Sequence, residues 1–165
     1  MPVTADEFRA ALARWASGVA IVTAAAGDRV HGMTVSSFAS VSLDPPLVLV
    51  CADKSSITLE VLEAGGVFAV NVLADDQQPL SDRFASKKDE HRRFEGVSWR
   101  RGATGAPLLD GTVAALDCRV VAAHDAGDHV IYVGQVEVAE VHGGEPLLYH
   151  AGIYRVLSGA GEGRP

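Results

Sequence analysis

The run Gly32–Val50, GMTVSSFASVSLDPPLVLV, constrains the fold more than any other stretch of the chain. It places small hydroxyl residues among apolar ones, halts at Asp44-Pro45-Pro46 and resumes as an unbroken apolar segment. Proline has no backbone N–H and keeps its predecessor out of helical geometry, so the chain must turn there. Leu47–Val50 then reads as a buried strand. Thr34, Ser36 and Ser37 lie around Val35 just ahead of Phe38, which would make one face of an extended segment polar and concave. These hydroxyls, with Ser40, can each donate and accept hydrogen bonds. Gly32 has no Cβ and lets a backbone approach a ligand. Polarity alone is better served by an ordinary Ser/Thr-rich strand and turn.

Further strand signals follow at Val67–Leu73, Thr112–Ala123, His129–His142 and Leu147–Arg155, the last read as one strand continuing through Ala151-Gly152. Ala26-Gly27-Asp28-Arg29 and His124–Asp128 read as turns, and Gly102–Gly111 as a turn-rich connector. Helical signals are fewer. Thr4-Ala5-Asp6-Glu7 is a capping box, with Phe8, Leu12 and Trp15 on one face and Gly18 as the stop. Ser55 or Ser56 caps a second helix that runs through Leu62 and closes at Gly65-Gly66, and Gln77–Phe84 is a third. The charge-dense run Lys87–Arg101 reads as a solvated loop or short helix. Seven or eight strands against two or three helices predict a mainly β, antiparallel fold with Greek-key closure.

The chain's 165 residues fit a single domain, taken as 1–157, with a Gly-rich flexible tail over 158–165. A formal charge of −7 gives no basic field for nucleic acid or an anionic membrane. No apolar run reaches the roughly 20 residues of a membrane-spanning helix. The start MPVTADEF has neither a basic segment nor an apolar stretch, and Cys51 and Cys118 sit in apolar runs. The expectation is buried free thiols in a reducing cytoplasm. Signatures of hydrolases, zinc proteases, P-loop proteins and Rossmann dinucleotide sites are all missing. His124, Asp125, Asp128 and His129 invite a metal reading, but their spacing matches no zinc motif and no metal is expected.

Gly32–Val48 strongly resembles the signature of the short-chain flavin reductases, small components of two-component flavin-dependent monooxygenases. Other matches follow in order: Phe8-Arg9 with Leu12, Gly18–Thr23, the Val67–Leu73 strand, Phe84-Ala85 and Gly127-Asp128-His129 with Gly134. The resemblance covers about residues 8 to 157. It implies an FMN-binding split β-barrel with a few flanking helices, and hydride transfer from NADH or NADPH to FMN or FAD. It further implies a homodimer with the flavin cleft near the subunit interface, and a separate monooxygenase that receives the reduced flavin by diffusion. No catalytic side chain is required, since the two cofactors carry the chemistry.

By the same resemblance, Gly32, Met33, Thr34, Val35, Ser36 and Ser37 meet the flavin ring. Ala52, Asp53, Lys54, Ser55, Ser56 and Thr58 form the phosphate grip at a helix N-terminus. Phe84, Ala85 and Ser86 touch the flavin, His129 lies beside the nicotinamide with Asp128 orienting its turn, and Tyr149 and Gly152 complete the set. Phe84 is equally well accounted for as core. Relatives carry basic residues around the C-terminal glycine where this chain has Ala151 and Ile153, so the resemblance does not choose between NADH and NADPH. The competing reading is a non-catalytic split-barrel carrier of flavin or haem. A barrel of the pyridoxamine-phosphate-oxidase kind would want a second basic cluster that this sequence does not show.

Overall fold

The computed structural model describes residues 2–158. The tail expected over 158–165 lies, apart from Ser158, outside the described residues. In chain order the elements are α1 (Ala5–Leu12), β1 (Ser17–Gly18), β2 (Ala20–Ala26), β3 (Arg29–Val35), β4 (Phe38–Leu43), β5 (Pro46–Asp53), α2 (Ile57–Gly65) and β6 (Val67–Val72). Then come α3 (Gln78–Ala85), a 3-10 turn (Glu90–Arg92), β7 (Trp99–Arg101), β8 (Pro107–Leu109), β9 (Ala114–Ala126), β10 (His129–Val141), β11 (Leu148–His150) and β12 (Ile153–Arg155).

Seven strands form one antiparallel sheet in the order β3-β2-β6-β9-β10-β5-β4. Its two edge strands, β3 and β4, are consecutive in the chain and joined only by Ser36-Ser37. Two residues span less than about 10 Å. The edges therefore have to converge, which curls the sheet into a barrel left open along the β3/β4 seam. The chain passes β2, β3, β4 and β5 in turn around this barrel, then returns through α2 to lay β6 beside β2, a Greek-key return.

Local chemistry accounts for most of the elements. Thr4 and Glu7 close a reciprocal capping box at α1. Ser56 accepts the Leu59 N–H at the start of α2, and Gly66 ends that helix in the left-handed conformation (φ 67°). The helix seals one mouth of the barrel with Leu59, Val61 and Leu62, each worth about 1.5–3 kcal/mol of burial. Inside the barrel, the end of the Phe68 ring packs against Gly134, where an added Cβ would come within 2.4 Å of its Cζ. That contact explains the glycine at the end of the Gly127–Gly134 motif.

Several expectations are corrected. Gly18 does not stop α1, which ends at Leu12 with Ala13 as its cap; in β1 it pairs with Leu148 of β11. Leu147–Arg155 is a hairpin rather than one strand, because Ala151 and Gly152 adopt φ of 54° and 78° and reverse the chain. The turn of the long β9–β10 hairpin is only Gly127-Asp128, with Ala126 opposite His129, so His124 belongs to a strand. The Gly102–Gly111 connector contains β8, pinned by fully buried Asn71, whose Oδ1 accepts the Leu109 N–H at 2.8 Å. The Lys87–Arg101 segment is not simply solvated, since Arg93 is buried and Phe94 and Trp99 pack on the Val19–Phe84 core. Cys51 and Cys118 are free thiols, but only Cys118 is buried, which pushes its thiol up to about 12, while Cys51 is half-buried rather than buried as expected.

Candidate functional site

The seam between β3 and β4 opens onto two adjoining hollows. A cleft of about 190 Å³ is lined by Val19, Thr34, Val35, Ser36, Ser81, Ala85, Tyr149 and Tyr154. A trough of about 700 Å³ runs on from it past Ser36, Ser37, Tyr149, Ala151 and Gly152 to Leu12 and Trp15 of the N-terminal segment. Ser36 and Tyr149 border both, so the two form one groove. The seam residues are fixed from either side. Thr34 Oγ1 donates to the Ser81 carbonyl at 2.6 Å, tying β3 to α3, and Ser37 Oγ donates to the Cys51 carbonyl at 3.3 Å, tying the turn to β5. One wall is aromatic: Tyr149 and Tyr154 meet edge-to-face at 5.4 Å. Apolar walls, a few hydroxyls and an aromatic plane suit a flat conjugated ring system with polar edges.

At the rim, the end of β5 turns into α2 beside the tip of the β9–β10 hairpin. Asp53 faces His129 across the β5–β10 ladder. The Ser55 hydroxyl and N–H both donate to Asp53 Oδ1 at 2.7 Å. These hydrogen bonds, helped by the charges of Lys87 and His129, hold the Asp53 carboxyl below its ordinary range. His129 Nδ1 pairs with Asp128 Oδ1 at 2.7 Å, which orients the ring at the hairpin tip.

The expected site residues separate into three groups. Thr34, Val35, Ser36, Ala85 and Tyr149 line the cleft, and Ser37 and Gly152 extend it. Asp53, Lys54, Ser55 and Ser56 gather at the rim with His129, Ala52 being buried in the barrel core behind them. Ser86 lies at the C-terminal end of α3, its carbonyl held by Arg93. The rest serve the core instead. Phe84 is fully buried, and Gly32 gives room to its ring, since a Cβ there would stand 3.0 Å from Phe84 Cε1. Met33 points into the barrel core. Thr58 is buried and its Oγ1 meets His31 Nδ1 at 2.7 Å, so it offers nothing at the rim. Lys54 is already engaged: its ammonium donates to the Gly127 carbonyl at 2.7 Å and ion-pairs with Asp125.

Three contributors escaped the sequence reading. Ser81 and Tyr154 line the cleft, with Tyr154 Oη 2.8 Å from Ser81 Oγ and donating to Asp82 at 2.9 Å. Only the Tyr149–Tyr154 spacing across a two-residue turn could have signalled the second tyrosine. Arg93 is the third, a buried guanidinium linking the Gly32 carbonyl of β3 to the Ser86 carbonyl.

His31, behind the rim, carries a pH consequence. Burial first, and the Arg93 charge second, hold its imidazole below the ordinary value. Its folded form is neutral, so the linked stability is complete above about pH 6.5 and drains away as pH falls through the depressed folded value. On moving from about pH 7.5 to about pH 5.5, the thermal midpoint of His31→Gln is expected to drop less than that of the unmodified protein. Equal drops would rule His31 out as the source.

A family model described as "Flavin reductase like domain" matches residues 12–158. An NADH-dependent flavin reductase of Rhodococcus sp. is 45% identical over 166 residues, covering 99% of this chain and 92% of the relative. The reductase subunit HsaB of a Mycobacterium tuberculosis flavin-dependent monooxygenase is 40% identical over 150 residues, covering 89% and 79%. Among solved structures, the Streptomyces globisporus NADH:FAD oxidoreductase SgcE6 superposes with a TM-score of 0.90 at 35% identity, covering 96% of each chain.

Proposed function

The chain belongs to the flavin reductase like domain family, and from this we infer that it is an NADH-dependent flavin reductase. It passes a hydride from NADH to FMN or FAD and supplies the reduced flavin to a separate flavin-dependent monooxygenase. The observation that carries this reading is the groove along the β3/β4 seam, which presents hydroxyls of Thr34 and Ser36 beside Tyr149 and apolar walls. Two flat rings stacked there need approach geometry from the protein rather than a nucleophile or an acid–base pair. The Ser36 hydroxyl and backbone donors of the Ser36-Ser37 turn would meet the polar edge of the flavin, the hydroxyl protons of Thr34 and Ser37 being held by the Ser81 and Cys51 carbonyls. The rim at Asp53–Ser56 would meet its phosphate, and His129 the nicotinamide carrier.

A homodimer is part of the proposal. Phe8, Leu12 and Trp15 of the N-terminal segment are exposed, at 55%, 55% and 77%, and Leu12 and Trp15 share the trough with exposed Tyr149. An apolar surface that borders the groove supports closure by a second copy. Among the described residues no helix is long and apolar enough to cross a membrane.

The decisive assay follows NADH and NADPH oxidation by the purified protein with no flavin, FMN or FAD added. Oxidation that depends on added flavin is the expected result, with His129→Ala raising the KM for the nicotinamide more than it lowers kcat. A protein that keeps its flavin through dialysis and leaves NADH and NADPH untouched would overturn the reading in favour of a carrier.

A further inference from the structure

Lys54 and Ser55, which the functional reading assigns to the flavin phosphate, already donate to partners inside the protein. The Lys54 ammonium is shared between the Gly127 carbonyl and the Asp125 carboxylate. Ser55 gives both of its donors to Asp53. The Ser56 hydroxyl accepts the Leu59 N–H and keeps its own proton to donate. Two of the internal acceptors are carboxylates, so the Lys54 and Ser55 donors meet anionic oxygens of the protein's own, of the same chemical kind as a phosphate oxygen. The Lys54–Asp125 pair is also the exchangeable one, with side chains 42% and 78% exposed. Solvent reaches both partners, and such pairs are weak.

We propose that Asp125 sets the affinity for flavin by competing with its phosphate for the Lys54 ammonium. An ammonium has three donors. One is held by Gly127 and one by Asp125 Oδ1, so a phosphate meets an ammonium with a single free donor unless Asp125 gives way. The carboxylate also leaves a negative charge beside the incoming anion. Both effects weaken binding, which suits a protein that must let reduced flavin go. Asp125 thus acts through Lys54 as a positioning residue, and the inference rests on the reading of Lys54 as a phosphate contact.

The hairpin tip does not depend on Asp125 for its place. The Lys54 N–H donates to the Asp128 carbonyl at 3.0 Å, and the β5–β10 ladder runs from Gln135 to His129. Asp125→Asn therefore removes the competing charge while the tip stays docked.

The test is a fluorescence titration at low salt of FMN and of riboflavin, which lacks the phosphate, with the unmodified protein, Asp125→Asn, Lys54→Ala and the double variant. Asp125→Asn is expected to tighten FMN roughly two- to five-fold, the span of an exposed ion pair, with riboflavin unchanged. Lys54→Ala is expected to weaken FMN about ten-fold, again without effect on riboflavin. In the double variant the Asp125 effect should vanish. FMN affinity unchanged or weakened by Asp125→Asn, with Lys54→Ala still harmful, would overturn the role of Asp125 alone. FMN affinity indifferent to Lys54→Ala would overturn the phosphate assignment and this inference with it. Failure of both ligands to bind the unmodified protein would overturn the flavin reading itself.

Discussion

Gly65→Ala is expected to destabilise the fold by about 3 kcal/mol, although the same change within most helices stabilises. Helix propensity alone favours alanine over glycine by about 1 kcal/mol. Here a Cβ on Gly65 would lie 1.7 Å from the Ala25 carbonyl oxygen and 2.7 Å from its carbon. Both are backbone atoms of β2, locked by pairing with Val30 of β3, so no side chain can swing aside. The helix would have to lift off the sheet, loosening Val61 and Leu62 in the barrel mouth and shifting the Ser56 cap at its other end. Gly66→Ala is the control one residue on. It has open space around it and loses only the left-handed preference of glycine, about 1 kcal/mol. Urea denaturation of the two variants should therefore differ by about 2 kcal/mol. Equal losses would show that α2 yields to the added methyl.

The same pair of glycines illustrates what a sequence can and cannot reveal. Gly66 is a local signal, a residue needed at one left-handed position after a helix, and the Gly65-Gly66 stop is legible for that reason. The need for Gly65 arises from β2, forty residues away in the chain. Capping boxes, two-residue turns and the Asp44-Pro45-Pro46 break are local in the same sense, which is why the β content and most element positions could be read directly. Gly18 misled because a glycine after an apolar-periodic segment looks like a stop, whereas pairing with Leu148 decides its conformation.

The site divides along the same line. Hydroxyls at Thr34–Ser37 were legible because their order is distinctive, and the seam brings most of them to the groove. The sequence marks Gly32 as a ligand contact and leaves Phe84 open between ligand contact and core, whereas the fold makes the two one packing contact between β3 and α3. Thr58 satisfied the idea of a phosphate loop but turns inward to His31. Lys54 stood out as a cation following a strand, while its partners come from a hairpin more than seventy residues later. Pairings of that range leave no mark on local composition.

Arg93→Ala is expected to cost about 3–4 kcal/mol and to weaken flavin binding as well. Arg93 is only 4% exposed, and its guanidinium donates to the Gly32 carbonyl at 2.7 Å and the Ser86 carbonyl at 2.6 Å. Gly32 sits on β3, an edge strand of the open barrel, so Arg93 covers a backbone acceptor that no neighbouring strand can reach. Truncation strands two carbonyls and leaves Glu90, 3.7 Å from the lost charge, without its partner. Arg93→Lys should recover only part of the loss, because one ammonium cannot span both carbonyls in the guanidinium's fork. The flavin effect follows from geometry, since Ser86 and the cleft residue Ala85 end α3 where Arg93 fastens it to β3. A third signature separates this account from general loosening. Arg93 is one of the charges that hold His31 below its ordinary value, so its removal should shrink the acid-side loss of stability. Denaturation curves at about pH 7.5 and about pH 5.5 read all of this. A loss below about 1 kcal/mol with an unchanged acid response would mean that solvent takes over the two carbonyls and that β3 needs no clasp at the seam.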